Sequence, residues 1–354
     1  MNGRTEQELQ QYLFQYETEL SREAETLSLL DFPVLTEELF SLFEKTGNRL
    51  RYEEAYFGRR KYLVAFAFNA LFAKERDISM DLSGLEWVLE QICAETCWAL
   101  PAHVNRKKDE KWKITLDLFA CETAQSLLEI AFLLRNDLRP ELLCRIWKES
   151  SRRVLQPFLI QENGAFWWET SKSNWNAVCC GSVGAAACYA SELFPVLFPN
   201  AESIESINQN CEQILTRVTR DLSCFLASFG EDGACMEGLG YWEYGMSYFS
   251  MFAELLKEKT GGKTDLLDGK KQRKIMEFQQ KCYFPGGNTL SFSDGDSKSR
   301  YRMGLTCHFA MLDPNVKIPP LVRAMHFGED PCYRWNAAYR DWIWTKQYLN
   351  VLKS

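Results

Sequence analysis

The chain has 354 residues and a formal charge of −7, from 41 basic and 48 acidic side chains, with 46% hydrophobic and 25% charged residues. That balance builds a large core in one big domain or two ordinary ones and excludes a disordered chain. The acidic sum excludes a general nucleic-acid binder, which needs a basic surface to displace counterions. No run approaches the ~18 apolar residues of a membrane span, so neither nucleic acid nor membrane is an expected partner.

The N-terminus, MNGRTEQELQQYLFQYETEL, is polar and amphipathic and lacks the apolar centre of a secretory signal. Leu9, Leu13, Tyr16, Leu20 and Leu27 recur at spacings of three, four or seven, one face of a long helix. Further helical patterns cover about 36–46, 53–75, 84–99, 115–135, 138–156, 174–194, 242–258 and 268–281. Ile204, Ile207, Cys211, Ile214, Val218, Leu222 and Phe225 mark another. Strand-like alternation is scarce before TLSFS at 289–293. The expectation is an all-α domain of roughly ten helices, joined as antiparallel neighbours by fairly short loops. Helix pairs recur at irregular intervals, which suits a closed ring of hairpins or an α-solenoid better than a strict repeat. From about 314 the pattern loosens through DPNVKIPP into the aromatic, amphipathic WNAAYRDWIWTKQYL. This stretch reads as a possible linker or the start of a further domain.

Thirteen cysteines are odd in number, spread out and set in apolar helical runs (Cys121, Cys188, Cys211), and no C-x-x-C occurs. They read as small buried thiols of a reducing compartment, which together with the absent signal points to the cytoplasm. Dinucleotide and phosphate-loop glycine motifs, H-E-x-x-H and G-x-S-x-G are all absent. With only His103, His308 and His326, a three-histidine metal site would consume every histidine. Neither a metal nor a cofactor is expected.

Four segments are dense in chemistry. In WALPAHVNRKKDEKW (98–112), Pro101 breaks a helix and His103 follows beside a basic stretch, either solvated or a proton carrier. Glu122, in the helix just beyond, reads as support for a helix N-terminus or as part of a cleft. In FWWETSKSNWNAVCCGSVGAAA (166–187), Trp167, Trp168 and Trp175 are core or sugar-stacking faces. Asn174 is a helix cap or a ligand-binding amide. Gly181, Gly184 and Ala185 to Ala187 let neighbouring helices approach closely. In FGEDGACMEGLGYWEYGMSYF (229–249), a glycine-flexed loop delivers Tyr241, and Tyr241, Tyr244 and Tyr248 share one side of the next helix. In LSFSDGDSKSRYRMGLTCH (290–308), Asp294 and Asp296 flank a turn, with Arg300 and Arg302 close behind to favour an anion.

WALPAH, DLFACETA, NWNAVCCGSVGAAA, DGACMEGLGYWEYG and FSDGD, in that order, resemble the N-terminal toroid of heparinase II/III-like polysaccharide lyases, over about residues 85–310. The resemblance implies an incomplete (α/α) toroid of antiparallel helix hairpins. The family's C-terminal β-sandwich is expected to be absent from this chain, since its H-x-H-x-D-type segment does not occur. It also implies β-elimination at a uronic acid in an acidic polysaccharide or oligosaccharide. The C5 proton is acidified by the neighbouring carboxylate, hydrogen bonds to that carboxylate stabilise the developing enolate, and a tyrosine of lowered pKa takes the proton. Carried over residue by residue, Tyr241 is the base and acid with Tyr244 second, Asn174 or Asn176 neutralises the carboxylate, and His103 is a further polar group. Trp175, Trp168, Trp242, Glu237, Arg300 and Glu122 would line the cleft. Two other expectations stand beside it. One is a carbohydrate-binding domain without catalysis. The other is an (α/α) glycoside hydrolase whose two carboxyl groups, about 5–10 Å apart, come from Glu237, Glu243, Asp232, Asp294 and Asp296.

Overall fold

The computed structural model describes residues 2–162 and 164–353, with side chains from residue 5 onward. The helices are α1 (Asn2–Leu27), α2 (Glu37–Thr46), α3 (Leu50–Glu75), α4 (Ser83–Cys93), α5 (Leu118–Leu133), α6 (Pro140–Ser150), α7 (Gln156–Ile160), α8 (Asn174–Leu197), α9 (Ile204–Ala227), α10 (Leu239–Lys259), α11 (Lys270–Met276), α12 (Phe278–Lys281), α13 (Met303–Leu312) and α14 (Trp335–Lys353). Among the described residues there is no strand. TLSFS contributes only the isolated Tyr283–Thr289 bridge, and Tyr301 pairs singly with Ala324. The molecule is all-α, as its 3.6-residue periodicity requires.

Side-chain pairs give the helix directions. Tyr56 meets Thr123 (3.2 Å) and Lys74 meets the Leu133 carbonyl (3.0 Å), so α3 and α5 run the same way. Cys121 lies against Cys179 and Glu129 against Tyr189 (2.6 Å), which makes α5 and α8 parallel. Gly181 faces Tyr248 and Gly184 faces Phe252, so α8 and α10 are parallel too. Phe68 packs on Trp335 and Phe72 on Trp342, setting α14 parallel to α3. The return path runs through helices such as α9, whose Asp221 carbonyl meets Asn176 while Cys211 meets Ala187. The N-termini of α5, α8 and α10 therefore open at one end, where the loops before them gather.

Glycine makes the α8–α10 approach possible. A Cβ at Gly184 would lie 2.4 Å from the Phe252 ring, and one at Gly181 would lie 2.7 Å from the Tyr248 carbonyl. α8 is long and apolar enough to cross a membrane by composition, with a mean hydropathy of 1.4 over 18 residues, contrary to the reading that no run qualifies. Its apolarity is spent on helix packing instead, since 94% of that window is buried. Between α6 and α7, residues Ser151–Leu155 form a π-turn directly before Pro157. The proline has no N–H and its ring crowds the preceding turn, so the wider turn accommodates it without breaking the rod.

α14, in the stretch read as linker or domain start, runs through the core. Glu129 of α5 accepts hydrogen bonds from Gln125 (2.6 Å), Tyr189 (2.6 Å), Trp335 (2.9 Å) and Arg340 (2.6 Å), and is 1% exposed. Four donors satisfy the carboxylate, and Arg340 balances its charge, which a buried ion requires. The hub ties α5, α8 and α14 together. α13, which lies outside the helical patterns read from the sequence, is a buried helix packed along α14, with His308 stacked 4.2 Å from Trp344. All thirteen cysteines are free thiols, ten of them buried.

Candidate functional site

At the starts of α5, α8 and α10, the residues that cap or turn the chain also position chemistry. Asp117 caps α5, its Oδ1 accepting the Ala120 N–H (2.7 Å). Its Oδ2 accepts the Leu100 N–H (3.1 Å) and holds His103 Nδ1 at 2.7 Å. The His103 ring is thus locked, with Nε2 as its unclaimed edge. α8 begins at Asn174, whose backbone N–H and side-chain amide both donate to Glu237 (2.7 and 3.0 Å). Glu237, in the loop before α10, satisfies the N-terminus of a neighbouring helix and sits at its positive end. Gly238 then turns into α10 with φ of 91°, a conformation that disfavours side chains, and a Cβ there would meet the Phe292 carbonyl at 2.9 Å. The glycine lets the 289–297 loop close over the start of α10.

That loop brings Asp294 to Tyr241. The phenol faces Asp294 across the pocket and is half-buried; burial, then the Asp294 and Glu237 carboxylates, raise its pKa against the opposing charge of Arg334. Tyr241, Asp294, Glu243, Tyr244, Arg302 and Arg334 are among the residues lining a pocket of about 280 Å³. Arg334 stacks 4.2 Å over the Tyr244 ring and bonds Asp330 (3.1 Å), while its Nε has no hydrogen-bond partner. Arg302 reaches Asp330 (2.5 Å) and Asp341 (3.1 Å). Burial opposes ionisation of Asp330, yet the Arg302 and Arg334 charges and two backbone N–H groups push it down to about 2. Burial pushes Glu243 up to about 7 and Asp341 up to about 6, both against Arg302. Ser293 (φ 53°) and Tyr333 (φ 47°) hold left-handed backbone without being glycine. They immediately precede Asp294 and Arg334, the two residues that face Tyr241 with opposite charge. Strain of this kind collects where a fold fixes functional groups.

A second pocket, of about 610 Å³, lies beside the starts of α5 and α8 and is lined by His103, Trp167, Trp175, Lys111, Asp109 and Gln161 among others. His103, Asn174 and Tyr241 therefore share one end of the molecule but not one pocket. Asn174 is 4% exposed and lines neither, its amide held by Glu237.

Several expected site residues serve the core instead. Asn176 is fully buried, its amide donating to the carbonyls of Trp168, Glu169 and Asp221, which leaves it no reach to a substrate carboxylate. Trp168 (1% exposed) donates its indole N–H to Leu116, and Trp242 (0%) donates to Ile275. Both are packing residues, and Trp168 adds only an edge to the second pocket. Arg300 pairs with Glu329 (2.5 Å) and the Val322 carbonyl (3.0 Å), outside the Tyr241 pocket. Tyr244 donates to buried Glu122, and its pKa is raised far, by burial first and then by that carboxylate, so it is no base. Glu122, raised by burial, faces Arg334 at 3.7 Å. Asp232 caps its own turn by accepting the Ala234 N–H (3.0 Å). Sequence reasoning missed Arg334, Asp330 and Asp117 as site residues, and it passed over Trp167 in favour of Trp168. No three His, Cys, Asp or Glu side chains among the described residues gather as metal ligands.

Set against known proteins, the chain matches no family's sequence profile and no curated protein.

Proposed function

We propose that the chain is a polysaccharide lyase-type domain that cleaves uronic-acid-containing saccharides by β-elimination, with its parallel helices forming the inner wall of an incomplete (α/α) toroid. The observation that carries the reading is Tyr241. It is a half-exposed phenol in the first turn of α10, sharing a concave pocket with the Asp294 carboxylate and the Arg334 guanidinium. The resemblance of the ordered motifs to those of heparinase II/III-like proteins supplies the reaction class.

The geometry modifies the roles. Burial and two carboxylates keep Tyr241 protonated, so it reacts as a relay. As the C5 proton moves to the phenol oxygen, the phenol proton moves to Asp294, the C4–oxygen bond breaks, and a proton returns through Tyr241 to the leaving oxygen. Arg334, whose guanidinium lines the pocket, takes the part of neutralising the uronate carboxylate, since Asn174 is engaged by Glu237 and Asn176 by the backbone. Incubation with heparan, chondroitin and alginate oligosaccharides is expected to raise near-ultraviolet absorbance as unsaturated uronate forms. Tyr241→Phe is expected to lower that rate at least about a hundredfold with the circular dichroism unchanged. Retained activity in the variant contradicts the assignment.

One observation favours a second reading, glycoside hydrolysis. Glu243, pushed up to about 7, shares the pocket with Asp294, which gives one proton donor and one acceptor. Carboxyl groups also outnumber the two guanidiniums around this pocket, a balance kinder to an uncharged sugar than to a uronate. Glu243→Gln abolishing hydrolysis without unsaturated product supports this second reading. Saccharide binding with no turnover of either kind supports the non-catalytic one.

A further inference from the structure

The pocket beside α5 and α8 is built differently from the Tyr241 pocket, with which it shares no lining residue. Trp167 and Trp175 stand with ring centroids 4.8 Å apart and planes at 46°, forming an open corner of two indole faces. Trp167 is 60% exposed. His103 meets Trp175 edge-on at 5.0 Å, and its bond to Asp117 turns Nε2 away from the helix cap. Asp109, Lys111 and Gln161 add one acid, one base and one amide, and Asp117, committed to His103 and the α5 cap, is a second acid. The result is flat apolar surface edged by sparse hydrogen-bonding groups, without surplus positive charge.

That chemistry matches a pyranose. One face of the ring is a patch of C–H groups that packs on an indole, and its equatorial hydroxyls point sideways to donors and acceptors. The volume lies within the ~300–1,000 Å³ of small-ligand sites. An anionic ring would find Lys111 offset by Asp109, and a purely apolar segment would leave the His103 edge, Asp109 and Lys111 without partners.

We infer that the Trp167–Trp175 corner, edged by His103, is a separate binding site for an uncharged pyranose ring. The Asn174–Glu237 pair links the chain segments of the two pockets without lining either, since Trp175 follows Asn174 and Glu237 lies just before α10. A saccharide long enough to reach from one to the other carries an uncharged unit beyond the reacting one. For that consequence the inference rests on the proposed reaction; for binding it does not.

The test is titration of the full chain with four uncharged tetrasaccharides, of β-linked glucose, N-acetylglucosamine, mannose and galactose, followed by tryptophan fluorescence and calorimetry. At least one is expected to bind, and Trp167→Ala to weaken it about tenfold or more. Because Trp167 is largely exposed, the variant is expected to keep the wild-type circular dichroism. Binding by none of the four overturns the inference, as does binding that both Trp167→Ala and Trp175→Ala leave unchanged. Binding of an uncharged sugar with no unsaturated product from the uronate oligosaccharides defeats the lyase reading and leaves this one standing; elimination on those uronates without binding of an uncharged sugar does the reverse.

Discussion

His308 lies in α13 with its imidazole stacked on Trp344 and neither ring nitrogen hydrogen-bonded. Burial, reinforced by the Arg340 and Lys257 charges, pushes its pKa down to about 3. Above about pH 6.5 it is neutral in both folded and unfolded chains and contributes no pH dependence. As the pH falls below that value the unfolded chain takes up a proton that the native chain refuses until about 3, so stability is lost through that window. Between pH 7 and 5 this amounts to about 2 kcal/mol. Glu243 and Asp341, whose pKa values are raised, work in the opposite direction over roughly pH 4–7. Their effect cancels when a variant is compared with wild type. His308→Leu is therefore expected to unfold at higher denaturant relative to wild type at pH 5 than at pH 7. An equal offset at both pH values refutes a neutral buried imidazole. At this scale the sequence was only partly readable. Trp167 and Trp168 adjoin in one short turn, and composition does not say which faces out; the structure exposes the first and buries the second. Asp330 and Arg334 reach Tyr241 from about ninety positions along the chain, so no local motif announces them.

At the scale of elements, the contact between α8 and α10 sets where Asn174 and Tyr241 stand. Gly184 is the tightest point, and the atoms a methyl group would meet belong to a buried ring that has little room to retreat. Gly184→Ala is expected to cost about 1–3 kcal/mol of stability and to spread the two helices, lowering any activity more than surface alanine substitutions do. A shift in midpoint below a few tenths of a kcal/mol in denaturant titration contradicts a close-packed seam. The helices themselves were legible because amphipathic spacing carries through long segments such as α1 and α9. Small residues along α8 likewise announced close approach. α13 escaped because its apolar run is short and follows turn-forming residues, where burial rather than periodicity makes the helix. Glu237 was read as cleft lining, whereas it caps the helix that starts at Asn174. A cap supplied from another segment leaves no trace near the helix it serves.

For the whole molecule, the arrangement gathers the starts of the parallel helices α5, α8 and α10 at one end. Their caps, Asp117 and Glu237 with the turn at Gly238, fix His103, Asn174 and Tyr241 along that end, and the 289–297 loop and the segment before α14 bring charge to the phenol. The account's central claim is that this end breaks a glycosidic bond by elimination, with Tyr241 moving the proton. The most direct measurement is the mass of the products formed from a defined uronate tetrasaccharide by the wild-type chain and by Tyr241→Phe. Elimination predicts two fragments whose masses sum to that of the substrate, one of them unsaturated, and their loss in the variant. Fragments that together exceed the substrate by one water, or cleavage that persists without the Tyr241 hydroxyl, contradict it.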